Sequence, residues 1–256
     1  DLTSRGMLID RARCDACGAC VQACPAGALD IIGRTWTSRE LLDEAQKDAI
    51  FYETSGGGVT LSGGEPMAQV GFLLEFCRLC QEVGIHVALD TCGLAAWEHY
   101  QQLLPLVDLV LYDLKILDPV RHQAVTGIGN ASILDNARRI AHAGVPMWVR
   151  TPIIPGTPDR PELGTADEAN IAGLGDLIAT ELPGVERWEL LAYSNLGQPK
   201  YGRLDIPYAL EGVPLLARAE MEALHAVALQ RVPVAVWSGA TRLEGSAVEA
   251  KGDTHG

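Results

Sequence analysis

Cys14, Cys17, Cys20 and Cys24, the last followed by Pro25, form a C-x-x-C-x-x-C-x-x-x-C-P run. Thiolates three residues apart, on a tight turn that Gly18 permits, converge on one iron–sulfur cube, and this is the bacterial ferredoxin spacing. A structural zinc knot is the competing reading, but zinc sites usually divide their ligands into two separated pairs. In two-cluster ferredoxins the fourth cysteine of each run serves the other cluster. Only one run occurs here, so Cys14, Cys17 and Cys20 are the core of the ligand set and Cys24 its conditional fourth member. Cys77 and Cys80 repeat the C-x-x-C spacing among Phe72, Leu73, Phe76, Leu79 and Val83 on a predicted helix, where cysteine behaves as a small hydrophobe. Cys92 follows a predicted strand and either packs or lines a pocket.

A second set of chemistry-bearing residues stands just after apolar runs. Gly56-Gly57-Gly58-Val59-Thr60-Leu61-Ser62-Gly63-Gly64-Glu65-Pro66 brackets a strand with glycine on both sides. It has neither the Gly-Lys-Ser/Thr of a phosphate loop nor dinucleotide spacing. Gly63-Gly64 is then either a plain turn or a stretch of bare backbone that a ligand approaches closely, with Glu65 beside it. Asp90, Asp113 and Lys115 are either surface charges or, on adjacent strands, a polar mouth for a ligand or small cation. The six histidines show no H-E-x-x-H spacing, so a zinc hydrolase has no support.

The elements that must position these residues alternate. Strands are predicted at Gly58–Leu61, Val87–Leu89, Leu109–Leu111, Met147–Ile154 and Trp188–Leu191, with a further one at Val232–Trp237. Helices are predicted at Val70–Val83, Ala95–Leu104, Ile133–Ala143, Asp167–Glu181 and Ala217–Gln230. Thr37-Ser38-Arg39-Glu40 is a capping box that opens another helix, to about Thr54. Such alternation predicts parallel strands with crossover helices, barrel-like or doubly wound, whose ligands sit at the carboxyl ends of the strands. The expected organisation is a cysteine-rich ferredoxin-like module over 1–35, a main αβ domain over 36–240 and a disordered tail over 241–256.

The 256 residues are 48% hydrophobic and carry a net charge of -13. That charge argues against nucleic acid or an anionic membrane as partner, since both require a basic surface. Seven cysteines, four of them crowded together, suit metal in a reducing cytosol better than a disulfide framework. With no signal-like or spanning apolar run, the expectation is a cytoplasmic protein.

The ferredoxin run followed by Ser55 to Pro66 resembles the glycyl radical enzyme activating enzymes, a branch of the radical S-adenosylmethionine (SAM) superfamily. The likeness continues through Ala88-Leu89-Asp90-Thr91-Cys92-Gly93, Tyr112-Asp113-Leu114-Lys115, His122 with Thr126-Gly127 and Asn130, and Val149 to Gly156. It implies a partial (β/α)6 barrel in which Gly63, Gly64 and Glu65 meet the methionine amino group of SAM. Asp113 and Lys115 would reach its carboxylate region, with Arg150 nearby. Asp90 and Thr91, with Asp113 and the backbone near Leu111, match positions at which a relative binds a monovalent cation. The implied activity is SAM cleavage to a 5'-deoxyadenosyl radical that takes hydrogen from a glycine of a partner enzyme. The implied partners are a glycyl radical enzyme and a flavodoxin or ferredoxin electron donor.

Two departures from the family pattern accompany the resemblance. Ser194 stands where the family usually has histidine, which puts the adenosine-side contact in question. The family's C-x-x-x-C-x-x-C motif and first strand lie upstream of the ferredoxin segment, and Asp1 begins about where that motif would end. The expectation is therefore a barrel lacking its first strand, with the ligands of a second, radical-generating 4Fe-4S cluster lying before Asp1. No catalytic ligand is assigned within the chain, which as it stands is expected to be inactive. Cys14 to Cys24 would hold an auxiliary cluster. The competing functions are a radical SAM oxidoreductase acting on a small molecule and an iron–sulfur electron-transfer or binding module. His122, Thr126, Gly127 and Asn130 are either a partner contact or a helix-entry turn capped by Asn130 or Ser132.

Overall fold

The computed structural model describes residues 2–3, 6–7, 9–31, 33–157, 159, 164–204 and 206–242. Two short strands, β1 (Leu2–Thr3) and β2 (Gly6–Met7), pair antiparallel ahead of the cysteine run. The run carries one helical turn, α1 (Ala19–Gln22). The capping box then forms as predicted: the Thr37 side chain accepts the Glu40 N–H while the Glu40 carboxylate accepts the Thr37 N–H. The helix it opens is shorter than expected. It divides into α2 (Ser38–Ala45) and α3 (Ala49–Ser55), separated by a 3-10 turn over Gln46–Asp48.

From there strand and helix alternate: β3 (Gly58–Leu61), α4 (Val70–Glu82), β4 (His86–Thr91), α5 (Trp97–Leu103), β5 (Leu109–Asp113), α6 (Pro119–Thr126), α7 (Ala131–His142), β6 (Met147–Ile153), α8 (Glu168–Glu181), β7 (Val185–Ala192), α9 (Gln198–Arg203), α10 (Arg218–Leu229) and β8 (Ala235–Ser238). The strands β3 to β8 form one six-stranded sheet, all neighbours parallel, in sequential order. The order never reverses, so the sheet is wound in one direction as in a barrel rather than doubly wound.

Val87, Leu89, Val110, Tyr112, Met147 and Val149 are buried in the central strands, packed with Leu73, Phe76, Leu103, Ile140, Leu174 and Met221 from the helices. Cys77 and Cys80 lie in this core with no exposed surface, as small hydrophobes would. Burial pushes the Cys77 thiol up to about 12 and that of Cys80 to about 11. Trp188, wholly buried, donates its indole N–H to Thr151 Oγ1 at 3.0 Å. The tail is anchored at its start: the Arg242 N–H donates to the Leu216 carbonyl at 2.9 Å. The remainder of the predicted tail, from Leu243 onward, lies outside the described residues. Among the described residues no helix is long and apolar enough to cross a membrane.

Candidate functional site

The carboxyl ends of β3 to β6 carry the site. Register places Asp113 on β5 directly beside Arg150 on β6, one strand over from Asp90 on β4. Arg150 Nη2 pairs with Asp90 Oδ1 and lies 3.1 Å from Asp113 Oδ1, while Lys115 Nζ reaches Asp113 Oδ2 at 3.1 Å. The Ser62 hydroxyl, from the end of β3, donates to Asp90 Oδ2 at 3.0 Å. Two carboxylates and two cations thus meet at one mouth. Their side chains are 18% to 31% exposed, so each pair contributes about 1 kcal/mol at most to stability. The set balances to zero net charge and remains reachable by a ligand. Arg150 Nε is buried in it with no partner.

Gly63 and Gly64 border open space, with no atom within 4 Å of where a Cβ would stand, and Gly63 has φ +132°. Glu65 follows and caps a 3-10 turn, Pro66–Gln69. Its carboxylate accepts from the Met67 N–H, the Thr91 hydroxyl and the Cys92 N–H. Gly93, at φ +80°, closes the end of β4 against Tyr112, whose phenol oxygen would lie 1.8 Å from an added Cβ. Tyr112 in turn donates to the Ile133 carbonyl at 2.6 Å, and Asn136 holds the Gly93 and Ala95 carbonyls at 2.8 Å each. Cys92 is half-buried beside this mouth, and its thiol is pushed up by burial first and then by the bond and charge of Glu65. Tyr100, Tyr112, Asn136 and Ser62 are supporting residues that sequence reading did not single out.

Other expectations fare differently. His122 is buried with Nδ1 2.7 Å from the Ile128 carbonyl, and Thr126 Oγ1 lies 3.1 Å from the same nitrogen. Asn130 precedes α7 but makes no capping bond. Its amide instead donates to the Ile116 and Leu117 carbonyls, because a buried amide tied to the loop after β5 satisfies two otherwise stranded acceptors. Ser194 accepts the Leu196 N–H at 3.3 Å as a local cap and is exposed.

Cys14, Cys17 and Cys20 are exposed and Cys24 is half-buried. Cys24 Sγ accepts the Ala28 N–H at 3.3 Å, and that bond holds its thiol below the usual range. Among the described residues no three His, Cys, Asp or Glu side chains are grouped to hold a single ion. A cube presents a separate iron to each thiolate, so its ligands need not meet at one point.

A model of the radical SAM superfamily matches residues 15–169. The chain is 42% identical, over 87% of its length and 70% of the relative's, to the isethionate sulfite-lyase activating enzyme of Nitratidesulfovibrio vulgaris. It is 35% identical, over 86% of its length and 80% of the relative's, to the trans-4-hydroxy-L-proline dehydratase activating enzyme of Clostridioides difficile. The chain belongs to the radical SAM superfamily, among its glycyl radical enzyme activating enzymes. Its fold agrees: a crystallised domain of the pyruvate-formate lyase-activating enzyme from Bacteroides vulgatus ATCC 8482 aligns with TM-score 0.58 at 29% identity, over 72% of this chain and 99% of that one.

Radical SAM enzymes use SAM and a 4Fe-4S cluster, and the residues present suit both. The mixed carboxylate and cation set, with the unpartnered Arg150 Nε and the open Gly63-Gly64 backbone, matches a zwitterionic amino-acid group such as the methionine end of SAM. Four thiols within eleven residues, three exposed and one half-buried that already accepts a backbone N–H, match the donor chemistry of a cluster.

Proposed function

We propose that this chain is the SAM-binding part of a glycyl radical enzyme activase, with Gly63, Gly64, Asp90, Asp113, Lys115 and Arg150 forming the SAM site and Glu65 closing the bend beside it. Cys14, Cys17, Cys20 and Cys24, in a ferredoxin-like module over 1–35, hold an auxiliary 4Fe-4S cluster, and the barrel domain spans 36–240. The observation that carries the reading is the Asp90–Arg150–Asp113–Lys115 set at adjacent strand ends. SAM together with a reduced cluster supplies one-electron bond cleavage and hydrogen abstraction. The chain's own residues bind and orient the amino-acid end. Asp90 and Asp113 face its ammonium group, Arg150 and Lys115 its carboxylate, and Gly63-Gly64 lets the backbone come close. The electron donor is a small flavodoxin or ferredoxin, the partner a cytoplasmic glycyl radical enzyme, and neither nucleic acid nor membrane takes part.

Anaerobic reconstitution tests the reading. The protein is loaded with iron and sulfide, reduced and mixed with SAM. The expected outcome is bound SAM and a single cluster on Cys14 to Cys24 whose electron paramagnetic resonance spectrum SAM leaves unchanged. Iron-loaded protein that binds no SAM, or whose cluster spectrum SAM shifts, would sink it.

A further inference from the structure

Glu65 belongs to the bend that resemblance assigns to the amino group of SAM, yet its carboxylate is already spoken for. Oε1 accepts the Met67 N–H at 3.2 Å and the Thr91 hydroxyl at 2.8 Å, and Oε2 accepts the Cys92 N–H at 2.8 Å. A carboxylate offers about four acceptor sites, so these three donors occupy most of it and both of its oxygens.

The chain of bonds runs deeper. A hydroxyl has one proton to give, and Thr91 gives it to Glu65. Thr91 Oγ1 therefore accepts from the Tyr100 phenol at 2.9 Å and from the Gly93 N–H at 3.1 Å. Tyr100 is wholly buried on α5, and burial raises its phenol, so it stays protonated and able to donate. Tyr100 therefore stands behind the site rather than in it.

We infer that Glu65 is a latch rather than a ligand contact, and that Thr91 and Tyr100 are positioning residues which, through Glu65, hold the Gly63-Gly64 bend in its open, ligand-ready form. The latch ties the segment after β3 to the end of β4. The Ser62 bond to Asp90 is a second tie across the same gap. Two consecutive glycines lose more conformational freedom on ordering than any other pair. Fixing them before the ligand arrives removes that cost from binding.

The inference rests on SAM being the ligand of this mouth, and the experiment separates the two ideas. SAM affinity is measured by equilibrium dialysis on the reconstituted protein, and hydrogen exchange at the Met67 and Cys92 amides on the ligand-free protein. Tyr100→Phe removes only a buried hydroxyl, and is expected to weaken SAM binding about three- to tenfold. Thr91→Val is expected to weaken it further and to speed exchange at both amides, whereas Thr91→Ser, which keeps the hydroxyl, restores both. Glu65→Gln places an amide N–H₂ among donors and breaks the latch itself. In that background Tyr100→Phe should add nothing, because both act on one element.

Tyr100→Phe and Thr91→Val proteins that bind SAM like the wild type and keep slow exchange would overturn the latch. So would full additivity of Tyr100→Phe with Glu65→Gln. Wild-type protein that fails to bind SAM rejects the ligand assignment instead, and the exchange at Met67 and Cys92 then decides the latch alone. Thermal unfolding of each variant, followed in parallel, identifies any that lose the fold.

Discussion

At the carboxyl ends of β3 to β6 the charged and hydroxyl side chains find partners on other strands, Ser62 on Asp90, Thr91 on Glu65, Arg150 on both Asp90 and Asp113. Between Cys14 and Cys24 the hydrogen bonds are local: Asp15 accepts the Cys17 N–H, Gly18 accepts from Val21 and Gln22, and Cys24 takes the Ala28 N–H. The mouth is assembled by the fold, so its geometry exists before a ligand arrives. The cysteine segment has no buried side chain in its one helical turn, and its four thiols have no core to order them. On the proposed reading the metal would supply the missing contacts in that segment, and binding and folding would become one event.

The strongest way to break this contrast is to damage the mouth where it is packed most tightly. Gly93→Ala forces a side chain into φ +80° and puts a Cβ 1.8 Å from the Tyr112 phenol oxygen. Tyr112 is buried and bonded to Ile133, so it cannot move aside without stranding an acceptor. Left-handed strain and overpacking together are expected to cost about 2 to 5 kcal/mol, read as a fall in the urea midpoint at unchanged slope. A change below 0.5 kcal/mol would mean that the end of β4 is far softer than its hydrogen bonds imply.

A smaller effect is expected at the charged set. Arg150→Leu leaves Asp90 and Asp113 facing one another with only Ser62 and Lys115 to offset them. Removing one member of a fully buried network costs several kcal/mol, but these groups are about a fifth exposed, which lowers the expectation to about 1 to 2 kcal/mol. Arg150→Lys should recover little, since the shorter ammonium stem stops a bond short of the point between the two carboxylates where the single nitrogen Nη2 meets both. Recovery of full stability and SAM affinity by Lys would show that charge alone, not the reach of that nitrogen, organises the mouth.

Much of this contrast was visible in the chain of residues. The strands announce themselves as short β-branched runs followed by glycine or charge, which marks Asp90, Asp113 and Lys115 as residues at strand ends, whereas Arg150, inside β6, is reached only through the family resemblance. Their meeting depended on register, which makes Arg150 the neighbour of Asp113. Helix α6 went unpredicted although Asp118, Pro119 and Gly127 are proper start and stop signals. Its one buried residue is His122, so there was no apolar stripe to read. Tyr100 and Asn136 escaped for a different reason. Tyr100 lies nine residues from Thr91 and Asn136 lies 43 from Gly93, and a buried hydroxyl or amide gains its meaning only from partners the fold delivers. The dual nature of Glu65 was hidden in the same way, since a motif names a residue but not which atoms remain unbonded.

The smallest expected effect sharpens the comparison from the other side. Cys14→Ala, Cys17→Ala and Cys20→Ala each remove an exposed thiol that no core contact depends on. In metal-free protein each should shift stability by less than about 0.5 kcal/mol, the ordinary range for surface changes. After anaerobic reconstitution the same variants should lose bound iron and sulfide, and with them the protection from proteolysis that a formed cluster gives to the segment. Cys24→Ala forms the internal control, because its sulfur already accepts a backbone N–H and its loss should cost slightly more in the metal-free state. If Cys14→Ala destabilised metal-free protein as much as Arg150→Leu does, the segment would be ordered by contacts of its own, and the division between a preformed mouth and a metal-formed module would fail.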